Sequence, residues 1–184
     1  MAGELGRPFW YFLRSVEDFA PAQPGLFTAS GIAERVRAIR ASEPRTARLA
    51  SLVADAEVIV ANSRFMADIT REAFGRECAV LHPGIERPAW HERWRTPLRH
   101  AIVAMAASTK KGVGIVVDLA VAHPCETFLL CGVKRLPVGL KEQNLPPNLH
   151  WLGSIEAGRA YALAKLVLVP SLWPEPAGRV APEA

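Results

Sequence analysis

The chain has 184 residues, 50 % of them hydrophobic and 22 % charged, with a formal net charge of +4. This is a globular composition, with enough apolar material for one large domain or two small ones, and it excludes a disordered or low-complexity chain. The positive charge is spread over both halves without a dense basic tract or aromatic interleaving, which argues against nucleic-acid binding.

The run Phe9 to Leu13 predicts a strand. No basic segment, long apolar stretch and small-residue cleavage site surround it, so the N-terminus does not read as a signal peptide. Pro21 to Pro24 break the pattern before a basic, Ala-rich helix around Ile32 to Arg40. A second helix is predicted from Pro44, which suits a first helical position, to Ala54. Its apolar positions Ala47, Leu49, Leu52 and Val53 are only loosely periodic. Glu57 to Ala61 is a short β-branched strand. Asn62-Ser63 then cap a helix from Arg64 to Phe74, with Phe65, Ile69 and Ala73 on one face and Gly75 as its stop. Cys78 to Leu81 forms a further short strand ending at His82-Pro83-Gly84, and Glu86 to Arg99, rich in charge, tryptophan and proline, reads as an interdomain linker.

Beyond the linker the pattern restarts. A strand at Ala101 to Met105, a helix from about Gly112 to Ala122 and a strand at Thr127 to Cys131 are followed by a turn-rich segment, Val133 to Pro147. A strand at Leu149 to Leu152, a short helix capped by Ser154 and running to about Leu163, and a buried strand at Leu166 to Val169 complete the series. Strand alternating with helix predicts a parallel, Rossmann-like sheet.

Cys78, Cys125 and Cys131 are odd in number and lie in or beside apolar runs, which favours buried free thiols over a disulfide framework and a reducing, cytosolic setting. His82, His91, His100, His123 and His150 have no ligand spacing, and no zinc site is expected. No apolar run approaches the roughly eighteen residues needed to cross a bilayer, which leaves peripheral membrane contact open.

The most informative segment is the last: Leu166 to Val169 breaks into Pro170-Ser171-Leu172-Trp173-Pro174-Glu175-Pro176-Ala177-Gly178-Arg179-Val180-Ala181-Pro182-Glu183-Ala184. This is a strand, a rigid turn and a helix opening at a glycine. Strand C-termini and helix N-termini are where open α/β sheets bind phosphate. Gly178 lets a ligand approach the backbone, and the carboxylates of Glu175 and Glu183 can accept hydrogen bonds from sugar or ribose hydroxyls.

The closing string resembles that of glycosyltransferase family 4, retaining enzymes of the GT-B fold that use nucleotide-sugar donors. Ala54 to Ser63 through His82-Pro83-Gly84-Ile85 is similar to the family's segment closing the N-terminal domain. Lys110-Lys111-Gly112-Val113 is similar to its donor-phosphate lysine segment, and Asn148 to Ser154 to the strand and turn near the nucleotide base. The resemblance implies an α/β, GT-B-like fold with parts of two Rossmann-like domains, both incomplete: a partial acceptor-side domain at 1–86, the linker at 87–99 and a partial donor domain at 100–184. It implies that Glu175 touches the transferred sugar, Glu183 holds the ribose hydroxyls, and Gly178, Arg179 and Val180 offer backbone contacts to sugar and phosphate. Lys111, with Lys110 as a near substitute, would neutralise the departing diphosphate, an electrostatic contribution on the order of several kcal/mol.

The resemblance further implies no metal or other cofactor, a nucleotide diphosphate sugar as co-substrate and a saccharide, lipid-linked or small-molecule acceptor. The location would be cytoplasmic, at most peripheral to the inner face of the membrane. The chain departs from the family where Ala106 replaces an arginine, where Ala177 replaces a phenylalanine, and where Pro182 enters the motif helix. Glu17 and Asp18 fall about where the family's cleft-facing N-terminal segment would lie. Two other readings stay open: a noncatalytic nucleotide-binding fragment or subunit, and a GT-B sugar-nucleotide epimerase.

Overall fold

The computed structural model describes residues 8–19, 28–84, 99–105, 108–132, 136, 139–173 and 175–184. The Pro21 to Pro24 break, residues 87–98 of the linker and Ala106 lie outside them. The chain divides into two compact units, one comprising Met1–Gly84 with Pro174–Ala177 and the other Ile85–Trp173 with Gly178–Ala184.

The first unit holds strands β1 (Trp10–Leu13), β2 (Val58–Ala61) and β3 (Ala79–Val80), all parallel, in the order β1-β2-β3. Helices α1 (Ala29–Ile39) and α2 (Pro44–Asp55) lie between β1 and β2, and α3 (Arg64–Phe74) between β2 and β3. The local signals for α3 act as anticipated. The Ser63 hydroxyl accepts the Met66 N–H at 3.3 Å, and Gly75 closes the helix with φ 67°, a left-handed conformation that a side chain disfavours. Met66, Ile69, Thr70 and Ala73 form its buried stripe, with Thr70 returning its hydroxyl proton to the Met66 carbonyl at 2.9 Å.

The loose periodicity of α2 has a structural cause. Its buried residues are Thr46, Leu49 and Val53, spaced i, i+3, i+7, while Ala47 is exposed. A threonine thus occupies a core position that a purely apolar reading passes over. Its hydroxyl proton is shared between the Phe19 carbonyl at 3.0 Å and the Glu43 carboxylate at 2.8 Å, and Glu43 also accepts the Thr46 N–H as the helix cap. The Thr46 backbone N–H first, then its hydroxyl, hold the Glu43 carboxyl below its ordinary value. The ring of Phe19 in turn stacks on Phe74, centroids 6.3 Å apart. Asp18, a candidate cleft residue by sequence, accepts the Arg14 and Ser15 N–H groups at 3.0 and 2.9 Å and so closes the capping box of a single 3-10 turn.

The second unit is a parallel sheet in the order β6-β5-β4-β7, from β4 (Ala101–Ala104), β5 (Thr127–Cys131), β6 (Leu149–Gly153) and β7 (Ala164–Leu168). The alternation of side chains along each strand gives it two packed faces. Ala104, Phe128, Leu130 and Leu149 join Val113, Val116 and Ala120 of α4 (Val113–Ala122) on one face. Val103, Leu129 and Cys131 join Ala160 of α5 (Ala157–Ala162) on the other. Both faces are covered, as an all-parallel sheet requires.

Three expectations are corrected. Ser154 does not cap α5: the helix begins at Ala157 behind Glu156, and the intervening Ile155 packs, partly buried, against the core cluster of the α5 face. Among the described residues β7 stands at the edge of its sheet, and Leu166 is 52 % exposed, so the strand is not buried as expected. Cys131 is buried, but Cys125 sits exposed in the turn between α4 and β5, and all three thiols are free. Among the described residues no helix is long and apolar enough to cross a membrane.

Replacing Thr46 by valine leaves the buried Phe19 carbonyl short of a donor, and urea unfolding is expected to show a loss of about 1–3 kcal/mol. The Glu43 cap makes a second, separable prediction. Its lowered folded pKa gives stability that is present above about pH 4.5, the unfolded value, and drains as pH falls through the lower folded one. Glu43→Gln should flatten that acid limb of a stability-versus-pH curve.

Candidate functional site

The winding of the second sheet reverses at one place. From β4 the chain moves outward to β5 and β6, then returns through α5 and adds β7 on the other side of β4. Ala104 and Leu168, the last residues of β4 and β7, are register partners. The loops that follow them therefore leave the sheet side by side, and the crevice outside such a switch point is where open α/β sheets take ligands.

After β4, Ser108 organises a tight turn. Its carbonyl accepts the Lys111 N–H at 3.1 Å and the Val113 N–H at 3.2 Å, and its hydroxyl accepts the Lys111 N–H at 3.2 Å. Gly112 then starts α4 with φ 77°, and no side chain caps the helix. A Cβ on Gly112 would stand 2.1 Å from the carbonyl oxygen of Pro170, just beyond β7. The glycine is needed twice over, for its backbone conformation and for the close passage of the second loop. Next to it the Leu172 N–H donates to the Lys110 carbonyl at 2.9 Å, and the Lys110 Nζ lies over the Trp173 ring, 5.1 Å from its centroid.

The segment after Trp173 ends in α6 (Val180–Glu183), whose N-cap is Arg179 and not the preceding glycine. Glu183 is gripped on both oxygens. The Arg179 guanidinium reaches Oε1 at 2.5 Å, and the Tyr161 hydroxyl, from α5, lies 3.5 Å from Oε2. A carboxylate has about four acceptor positions, so these contacts orient Glu183 and leave capacity for further donors. Arg179 at the helix start and Glu183 at its end oppose the helix dipole, so the ion pair by itself is worth little, about 0.5 kcal/mol or less. The second contact comes from Tyr161, only 3 % exposed, and at 3.5 Å it is long for a hydrogen bond. Burial first, then the adjacent Glu183 carboxylate, push its phenol up to about 12, against a smaller opposing effect of Arg179.

The second unit thus brings Lys111 to the β4 side of the crevice, while Arg179, Val180 and Glu183 follow β7. Gly178 and Arg179 are exposed, and Val180 and Glu183 half-buried. Glu175 is half-buried in the stretch that groups with the first unit. Sequence reasoning missed Ser108, Tyr161 and Trp173. Only Tyr161 carried a signal, as the one aromatic side chain in the stretch Ala157 to Ala162. A separate cavity of about 420 Å³, lined by Glu142, Pro146, Pro147, His150 and Trp151 among others, shares no residue with these loops. Among the described residues no three His, Cys, Asp or Glu side chains converge as a metal site would require.

No protein-family model and no curated protein matches the chain. Solved structures do. Over its full length the chain is similar to Anabaena Alr3699/HepE in complex with UDP and glucose, with TM-score 0.64 and 22 % identity, covering 51 % of that chain. It is likewise similar to the same protein in complex with UDP alone, with TM-score 0.65 and 21 % identity, covering 52 %. The chain spans about half the length of these structures. The likeness establishes the fold, an α/β architecture with two parallel sheets that matches half of a GT-B protein.

Two measurements check this geometry. In an alkaline titration followed by phenolate absorbance, Tyr161 should ionise near 12 and its signal should vanish in Tyr161→Phe. Because the folded pKa is raised, stability tied to this group is intact below pH 10 and declines as pH rises from 10 towards 12. Gly112→Ala should lower thermal stability by more than the roughly 1–2 kcal/mol of a left-handed backbone alone, since the Pro170 carbonyl must also move.

Proposed function

We propose that the crevice beyond β4 and β7 is the donor site of a retaining glycosyltransferase of family 4, binding a nucleoside diphosphate sugar. The observation that carries the reading is the switch point itself: Lys111 at the start of α4 and the motif string after β7 leave adjacent strands whose last residues are register partners. The likeness to a protein held with UDP and glucose supports UDP-glucose as the first donor to try. On this reading residues 1–86 belong to the acceptor-side domain, 100–184 to the donor domain, and 87–99 join them.

Lys111 places its ammonium against the diphosphate, whose charge grows as the glycosidic bond breaks. Preorganised positive charge at that point lowers the barrier without solvent reorganisation. Glu183, held by Arg179 and Tyr161, accepts the ribose hydroxyl protons, and Glu175 accepts from the transferred sugar. The backbone of Gly178, Arg179 and Val180 contacts sugar and phosphate. The bond from the anomeric carbon to the diphosphate oxygen breaks, the acceptor oxygen bonds that carbon on the same face, and its proton passes to the departing diphosphate. Anomeric configuration is retained.

Calorimetry with UDP tests the binding half of this reading. Lys111→Met should weaken UDP by about 10- to 100-fold, the value of one charge-assisted contact, and Glu183→Gln by about tenfold. Affinities unchanged within about twofold in both variants would remove the assignment. Incubation with UDP-glucose tests the chemical half: transfer or donor hydrolysis supports an enzyme, whereas binding without turnover leaves a nucleotide-binding module, and a released epimerised sugar indicates an epimerase.

A further inference from the structure

Lys110 and Lys111 are adjacent and both basic, with Lys110 a near substitute by sequence for the phosphate-facing Lys111. The structure separates them. The turn that carries them has the Lys111 N–H on the Ser108 carbonyl and the Gly112 N–H on the Thr109 carbonyl, both i to i+3 bonds. In such a turn successive Cα–Cβ bonds point about 120° apart, so the two lysine side chains leave the backbone in different directions. Lys110 already has a direction, over the Trp173 indole at 5.1 Å. Its own backbone carbonyl receives the Leu172 N–H, and two residues on, Gly112 passes against Pro170. Three contacts of different kinds, cation–π, hydrogen bond and close packing, therefore join residues 110–112 to residues 170–173 in consecutive steps.

We infer that Lys110 and Trp173 form a latch that closes the 108–112 turn onto the 170–173 turn, and that Trp173 is thereby a positioning residue for Lys111. Lys110 directs its charge at the indole and not at the ligand phosphates. Of the two lysines, one fastens the site and the other serves it. The latch is a property of the structure. Its consequence for affinity rests on the donor-site reading of the crevice.

The test combines UDP calorimetry on the full chain with proton NMR. Lys110→Met and Trp173→Leu should each weaken UDP about two- to fivefold, the range expected for a partly exposed cation–π contact, and the double variant no further than the worse single one. Lys110→Arg and Trp173→Phe keep a cation and a ring face, and should stay within about twofold of the parent. A purely structural role would not separate these pairs in that way. In the NMR spectrum the Lys110 ε-methylene protons should be shifted upfield by the indole ring current, and Trp173→Leu should abolish the shift while accelerating exchange of the Leu172 amide. If Trp173→Leu does not fold, Lys110→Met and Trp173→Phe carry the same comparison.

Unshifted Lys110 protons in a chain that binds UDP would overturn the latch and spare the donor site. Unchanged affinity in Trp173→Leu, with Lys110→Met as damaging as Lys111→Met, would make Lys110 a phosphate ligand and overturn the assignment. A chain with shifted Lys110 protons but no UDP binding would keep the contact and overturn both the donor-site reading and the positioning role of Trp173.

Discussion

The passage of Pro170 against Gly112 is the constraint on which the second unit's site depends. Parallel pairing of β4 with β7 ends the two strands side by side, but it does not dictate that the loops beyond them touch. They touch because residue 112 has no side chain and tolerates a left-handed backbone. Any larger residue would meet the Pro170 carbonyl and push the two loops apart. The glycine of the Lys-Lys-Gly segment is thus a packing residue, and its effect is to set where the lysine before it stands relative to the turn at residues 170–173.

A second consequence concerns Glu183. It sits in a four-residue helix, α6, too short to be stable by propensity, and its ion pair runs against the helix dipole. From outside the helix, the buried phenol of Tyr161 on α5, an element that packs on the opposite face of the sheet from α4, adds a long 3.5 Å contact to its carboxylate. The crevice is therefore tied to both layers of the unit: α4 begins at its β4 side, and α5 contacts the segment beyond β7. This is the sense in which a doubly wound sheet can hold a precise site on two loops.

Much of the fold was legible because its signals are local. Ser63 and Gly75 bound α3 by capping chemistry that involves only a few neighbouring residues, and the alternation of apolar runs with helical segments sufficed for parallel sheets. The misses have physical causes too. Leu166 to Val169 reads as buried because a parallel strand is apolar whether it lies at the centre of a sheet or at its edge, and strand order is not written in composition. Ser154 has the right chemistry for a cap, but it is exposed, and Ile155 packs against the core before the helix begins at Ala157. Thr46 hides a core position behind a hydroxyl whose partner, the Phe19 carbonyl, lies 27 residues away. At the candidate site, motif resemblance singled out the closing string and Lys111, which the fold sets beyond two adjacent strands and whose ligand roles are proposals. The pairing of Lys110 with Trp173 could not be named from sequence, since it depends on β7 returning beside β4.

The donor-site reading of the second unit turns on whether the crevice beyond β4 and β7 binds a nucleoside diphosphate. Backbone amide chemical shifts followed during a UDP titration test this most directly. Saturable shifts are predicted at Lys111, Gly112 and Val113 and at Gly178 to Val180, with Glu142 and Leu145 at the separate cavity unmoved. Saturable shifts confined to that cavity, or none at all, would contradict it.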